Sequence, residues 1–161
     1  MLIWFVALAP ILVAEVFRSP MIDYRMVMLG AVLPLIEIFI GGPYVLHTLV
    51  GAVAALVIVM VATQGKRLRR RQLLGIPIGL FVHLILDGAW TQTELFWWPA
   101  FGLDFANSSI PELGRPLPVV LVLEAVGAVA GVWAWRRYGL GDPENRDRFR
   151  SSGQLDRKVL T

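Results

Sequence analysis

Two side chains in one apolar segment have the residue types and the spacing of a small chemical site. His83 and Asp87 are four residues apart within the stretch 79–87. If this stretch is helical, both side chains lie on one face with their Cβ atoms about 5–6 Å apart. An imidazole and a carboxylate at that distance can share a divalent metal ion such as zinc, or can form a structural pair with each other. The spacing alone leaves both interpretations open.

More ionisable residues lie within apolar stretches, where a charged group is costly and usually faces a bundle interior or a polar cavity. They are Glu15, Glu37, His47 and Glu124. With the spans and orientation derived below, all except Glu15 fall in the outer half of the membrane, as His83 and Asp87 do; Glu15 lies near the cytoplasmic side. We therefore predict Glu37 and His47 as further metal ligands and Glu124 as a general base.

Other catalytic chemistries find little support in the sequence. Cysteine is absent, which excludes disulfides, thiolate metal sites and a cysteine nucleophile. The serines do not lie in a nucleophile-elbow pattern. The run at 41–43, Gly-Gly-Pro, lacks the Lys-Ser/Thr of a phosphate-binding loop and is typical of a turn. A metal site would therefore use histidine and carboxylate ligands.

The elements that must position these residues are predicted to be membrane helices. The 161-residue chain is 57% hydrophobic and only 17% charged, and its charges are grouped between long apolar runs. Those runs are 2–17, 26–40, 44–63, 73–90 and 117–135. We predict an all-α bundle of five transmembrane helices over residues 1–137. The first run lacks a basic n-region, so we expect it to be retained rather than cleaved.

The basic residues predict the orientation, because they mark cytoplasmic loops. They cluster at 66–71, at 18 and 25, and from 136 onward, whereas Arg115 falls on the opposite side. The N-terminus should be outside and the C-terminus cytoplasmic. Arginine is much more abundant than lysine, which suggests a GC-rich bacterial genome, so we expect the protein in the inner membrane of a bacterium. Residues 138–161 form a charged tail, expected to be mobile or ordered by a partner. The net charge of +3 does not indicate nucleic-acid binding.

Two further features suggest contacts of the predicted bundle. Residues 91–105 are rich in aromatic side chains, which is typical of an interfacial belt and also compatible with a lid over an outward-facing site. Gly127 and Gly131 form Gly-x-x-x-Gly in the last span, a helix-packing seam that can be internal or can join copies of the chain. The expected partners are thus the lipid bilayer, a membrane protein or a second copy.

The segment 79–87, with His83-x-x-x-Asp87 followed by Trp98-Pro99, resembles the signature of the YdjM-like inner-membrane proteins, described as membrane-bound metal-dependent hydrolases. The similarity extends over about residues 30–102 and includes Leu33-Pro34 and His47-Thr48. It implies Glu37, His47, His83 and Asp87 as metal ligands, and Thr91 and Trp98 as substrate-binding residues. The sequence departs from the family pattern at two expected ligands, which are Leu35 and Gly42 here, and Trp90 stands where the family has threonine.

Three classes of function follow from these observations. The first is a hydrolase that uses one divalent metal, zinc or manganese, on a lipid or envelope ester or phosphoester at the outer leaflet. The second is a non-catalytic scaffold, without a metal, that keeps the fold and binds a partner through its basic tail. The third, a transporter element, has less support because five short spans show no inverted repeat. Metal content separates the first class from the second.

Overall fold

The computed structural model describes residues 1–40, 45–102 and 114–160, and within these ranges the chain is built from helices and turns without a strand. The helices are α1 (Leu2–Phe17), α2 (Tyr24–Val32), α3 (Leu35–Ile40), α4 (Leu49–Ala62), α5 (Arg67–Leu73), α6 (Gly75–Asp87), α7 (Thr93–Phe96), α8 (Leu117–Arg137) and α9 (Pro143–Ser152). Single 3-10 turns cover Val45–His47, Ala89–Thr91 and Arg157–Val159. The predicted all-α class is confirmed.

The helices are shorter than the predicted spans. In the described parts of the chain, only α8, with 21 residues, is long and apolar enough to cross a membrane, while α1 and α4 are shorter apolar helices of 16 and 14 residues. The predicted second span is interrupted at Leu33 and Pro34, which separate α2 from α3, because proline lacks the N–H that a continuous helix requires. The start of the third predicted span, residue 44, lies outside the described residues. The five-span count is not confirmed.

Helix α6 lies at the centre of the fold and packs most extensively against α2, with further contacts to α4 and α1. Glycines allow this close approach. A Cβ atom on Gly79 would overlap the carbonyl oxygen of Val27, and one on Gly30 would overlap that of Ile76. The two helix backbones therefore touch along a seam that admits no side chain, which fixes the positions of the polar residues on α6.

Helix α8 packs against α1 on one side only. A Cβ atom on Gly127 would lie 2.7 Å from the Cα and N atoms of Trp4, whereas one on Gly131 would lie at an ordinary 3.6 Å from the Cβ of Ala7. The predicted Gly-x-x-x-Gly seam is thus occupied by α1, which makes it an internal packing surface. The opposite side of α8 is exposed, with Val129 at 71% of its full accessibility.

The C-terminal segment, for which the sequence predicted either mobility or ordering by a partner, folds against the rest of the protein. Asp142 caps α9 by accepting a hydrogen bond from the backbone N–H of Glu144, and the helix ends at Gly153. Leu155 and Leu160, which belong to a mostly polar sequence, are buried with residues of α1 and α2 in one hydrophobic cluster. These few apolar contacts give the tail a defined position on the bundle.

Hydrogen bonds join the tail to the start of α2. The N–H of Tyr24 donates to the carbonyl of Gly153 over 2.8 Å. Arg25 pairs with the buried Asp23, with its Nη2 atom 2.9 Å from Oδ2, and also donates to the carbonyl of Arg150. Because Asp23 also accepts from the backbone N–H of Arg25, one buried carboxylate holds both the helix start and the arginine that reaches the tail.

Gly153→Ala should detach this tail. Gly153 has φ +70°, and an added Cβ would overlap Oδ1 of Asp23, so the substitution causes both backbone strain and a clash. Hydrogen exchange of residues 143–160 should become markedly faster. The matched control is Gly65→Ala, because Gly65 also has a positive φ, +73°, but nothing within 4 Å of an added Cβ. Equal exchange of the tail in both variants would contradict the described docking.

Candidate metal centre

Helix α6 supplies two buried residues of the predicted site. His83 and Asp87 lie one turn apart, and Asp87 is the last residue of the helix, which Gly88 ends in the left-handed conformation with φ 72°. Relative exposure is 0% for His83 and 1% for Asp87. The His83 ring stacks on Phe5 of α1 with centroids 4.1 Å apart. Both side chains therefore lie in the protein interior, as the sequence predicted for ionisable residues within an apolar segment.

A contact to α2 fixes the orientation of the His83 ring. Its Nδ1 atom lies 2.7 Å from the carbonyl oxygen of Ala31, close to the glycine seam between α2 and α6. A carbonyl oxygen can only accept, so the Nδ1–H group of His83 donates this hydrogen bond. A histidine that ligates a metal through one nitrogen commonly donates from the other in this way.

His47 reaches the same region from the turn that precedes α4. It is fully buried, and its Nδ1 atom lies 2.9 Å from Oε2 of Glu37 on α3. Glu37 also accepts from the backbone N–H of Leu46 at 3.0 Å, which holds the turn and the carboxylate together. Thr48 then caps α4 by accepting from the N–H of Gly51. Glu37 therefore orients the His47 ring.

The three residues His47, His83 and Asp87 form a compact group. Each offers one potential ligand atom, and these atoms all lie within 4.8 Å of one another. The two imidazole rings have centroids 5.3 Å apart and meet edge to face. Two imidazoles and one carboxylate are a ligand set that suits zinc or manganese. Three protein ligands also leave a coordination position for water.

Arg115 adds a positive charge to the site, and sequence analysis assigned it no role there. Its Nη1 atom lies 3.0 Å from Oδ1 of Asp87 as an ion pair, and its Nη2 group donates to the backbone carbonyl of the same residue. The Arg115 side chain is 22% exposed, whereas that of Asp87 is fully buried. The sequence does single out Arg115 in one respect, because it is the basic residue on the predicted outer side, whereas the other basic residues fall on the predicted cytoplasmic side.

The other predicted site residues have different surroundings. Glu124 lies outside the compact group: it accepts from the N–H of Trp4 at 3.2 Å and pairs with the amino group of Met1 at 3.5 Å. Thr91 is exposed and donates to the carbonyl of Gly88, and Trp98 is half-buried. Their roles as base and substrate-binding residues stay predictions. Gly42 and residues 103–113 lie outside the described residues.

Glu15 is separate from the site, as predicted. It accepts a hydrogen bond from the hydroxyl of Tyr138 over 3.2 Å, at the end of α8. Burial and the nearby charge of Glu15 raise the pKa of Tyr138, so this hydroxyl stays protonated and remains a donor at neutral pH. The contact joins α1 to the segment that leads into α9.

Comparison with known proteins gives no relative from which to assign these residues. No protein-family model matches the sequence, and neither the curated proteins nor the solved structures include a significant match.

Proposed function

We propose that this chain is a multi-pass inner-membrane protein of a bacterium and a metal-dependent hydrolase of a lipid or envelope ester or phosphoester near the outer leaflet. One divalent ion, zinc or manganese, is bound by His47, His83 and Asp87. The observation that carries the proposal is the close approach of three buried potential ligand atoms, two from α6 and one from the turn that precedes α4.

The distribution of apolar and polar side chains supports a membrane environment. Large apolar residues are exposed along the outer faces of the helices, including Phe39 at 90%, Ile58 at 66% and Leu121 at 60%. At the same time, polar residues such as His47 and Asp87 are buried. Monomeric soluble proteins rarely expose apolar surface on this scale, whereas a bilayer covers it.

The orientation with the N-terminus outside rests on the basic residues of α5 and of the C-terminal segment, which belong on the cytoplasmic side. Five crossings are part of the proposal and are supported by the five apolar runs. The helices shorter than about 20 residues would require local thinning of the bilayer or interfacial flanking segments. In this orientation, the carboxyl end of α6 with Asp87 faces outward.

A metal ion in this site would supply the chemistry of hydrolysis. A metal with an open coordination position lowers the pKa of bound water to about 7 and polarises a carbonyl or phosphoryl oxygen. Two hydrogen bonds would position the ligands of this ion: Glu37 orients the His47 ring, and the Ala31 carbonyl orients the His83 ring. Such orienting contacts are characteristic of metal-binding histidines.

The alternative is a membrane scaffold without catalytic activity. The same hydrogen bonds are compatible with a scaffold, because the contacts of Glu37 with His47 and of His83 with Ala31 connect separate segments whether or not an ion is bound. In this case the basic segments would contact a cytoplasmic partner. Metal content distinguishes the two functions.

Metal analysis of the purified protein tests the proposal. We expect about one zinc or manganese ion per chain in the wild type, and its loss in both His83→Ala and His47→Ala, because each substitution removes one of three ligands. Glu15→Gln is the matched control, since Glu15 contacts Tyr138 and lies outside the three-residue group. If the wild type contains no metal, and neither ion raises its melting temperature as binding to the native state must, the scaffold replaces the hydrolase.

A further inference from the structure

The position of Arg115 indicates which part of a substrate the metal centre would recognise. Arg115 contacts Asp87 twice, through the side-chain oxygen Oδ1 and through the backbone carbonyl. The backbone contact does not depend on what else the carboxylate binds. A carboxylate has two oxygens, so Asp87 can hold Arg115 with Oδ1 and a metal ion with Oδ2. The guanidinium would then lie directly beside the ion.

The charges of the described groups at this site do not balance when a divalent ion is bound. The ion and Arg115 together bring three positive charges, and Asp87 and Glu37 bring two negative ones. The histidines are neutral as metal ligands. An excess positive charge among buried groups is costly, and an anion placed between the ion and the guanidinium would neutralise it.

Arg115 also has the exposure that a ligand requires. His47 and Asp87 have fully buried side chains, whereas that of Arg115 is 22% exposed, so Arg115 is the most accessible of these side chains. Its planar fork of N–H donors matches the geometry of phosphate oxygens better than a lysine ammonium does. In the proposed orientation this face is directed toward the outer leaflet, where phosphate headgroups are found.

We propose that Arg115 is the anion-binding residue of the metal centre and that the substrate presents a phosphate group there, with one oxygen toward the ion and another toward the guanidinium. This inference rests on the proposed metal site. It predicts positive coupling between the two ligands: bound phosphate should raise the affinity for the metal ion, and bound metal should raise the affinity for phosphate by the same factor. The source of the phosphate, a lipid headgroup or a soluble compound, is decided by the experiment.

The test measures Mn²⁺ affinity of the full chain in neutral detergent by calorimetry, with and without inorganic phosphate. We expect phosphate to tighten Mn²⁺ binding of the wild type by at least about 5-fold, the lower end of typical coupling between sites. In R115Q the affinity without phosphate should be equal or higher, because a neighbouring positive charge is removed, and the phosphate effect should disappear. R69Q is the matched control, since Arg69 is an exposed arginine of α5, and it should retain the full effect.

A second arm identifies the source of the phosphate. Mn²⁺ affinity is compared, without added phosphate, in nanodiscs of phosphatidylcholine with and without phosphatidylglycerol. Tighter binding with phosphatidylglycerol in the wild type, but not in R115Q, indicates a lipid headgroup. If only inorganic phosphate has this effect, a soluble phosphate compound is indicated. If R115Q does not fold, R115K is used instead, which keeps the charge but loses the fork, and its phosphate effect should fall below that of the wild type.

The outcomes separate the two proposals. If the wild type does not bind Mn²⁺ or Zn²⁺, the metal centre is wrong and this inference with it. If metal binds but neither phosphate nor phosphatidylglycerol affects it, or the effect persists unchanged in R115Q, only the role of Arg115 is overturned. A folded R115Q that no longer binds metal would instead assign Arg115 to the structural support of Asp87.

Discussion

Gly79→Ala is expected to destabilise the helical bundle strongly. The added Cβ atom would overlap the carbonyl oxygen of Val27, which is part of the α2 backbone and cannot rotate away as a side chain can. The helices α2 and α6 must therefore move apart, which also moves the Ala31 carbonyl away from the His83 ring that it orients. Overpacking of this kind costs about 3 kcal/mol, a large fraction of the stability of a domain this size. Melting of the purified protein in detergent, followed by circular dichroism, measures the loss.

Gly131→Ala is the matched control for this experiment. It is also a glycine within an apolar helix, but its added Cβ would lie 3.6 Å from that of Ala7, an ordinary contact. Since alanine is also the better helix former, Gly131→Ala should leave the melting temperature unchanged or raise it. If both variants melt at the same temperature as the wild type, α2 and α6 do not approach each other as described.

The helical class was predictable because apolar runs determine it, whereas the helix ends depended on individual residues. Proline at position 34 and Gly88 with its left-handed backbone end helices inside the predicted spans. The folded tail was harder to predict. Its apolar residues, including Leu155 and Leu160, are too widely spaced to produce a periodic pattern, and their burial depends on a surface built by α1 and α2. Local sequence does not contain that information.

The candidate site was largely predictable from helical spacing and depth. The four-residue spacing of His83 and Asp87 placed both on one face. The prediction also grouped Glu37 and His47 with them, and in the structure His47 lies beside both residues while Glu37 contacts His47. The sequence could not show whether Glu37 is itself a metal ligand or orients a histidine ligand, because the difference depends on the hydrogen bonds that Glu37 makes. Arg115 was missed because its contact with Asp87 joins residues 28 positions apart, and local sequence patterns do not indicate contacts at that separation.

Glu37 was predicted as a metal ligand, but its contacts favour an orienting role that Glu37→Ala can test. The carboxylate accepts from Nδ1 of His47 at 2.9 Å and from the N–H of Leu46 at 3.0 Å, so alanine would leave two donors without their acceptor. Buried donors that lose a partner cost about 1–3 kcal/mol each, which predicts a clear fall in melting temperature. Loss of an orienting partner typically weakens metal binding by about 10- to 100-fold.

Stoichiometry then separates the two roles of Glu37. If it orients His47, Glu37→Ala should still bind one ion per chain at saturating metal, with lower affinity, while His47→Ala should bind none tightly. Glu37→Gln should lie between Glu37→Ala and the wild type, because the amide oxygen can still accept from His47. Glu94→Gln, a change at an exposed carboxylate on α7, should match the wild type. Complete loss of the ion in Glu37→Gln would show instead that the negative charge itself binds the metal, and the site would then contain Glu37 as a fourth ligand.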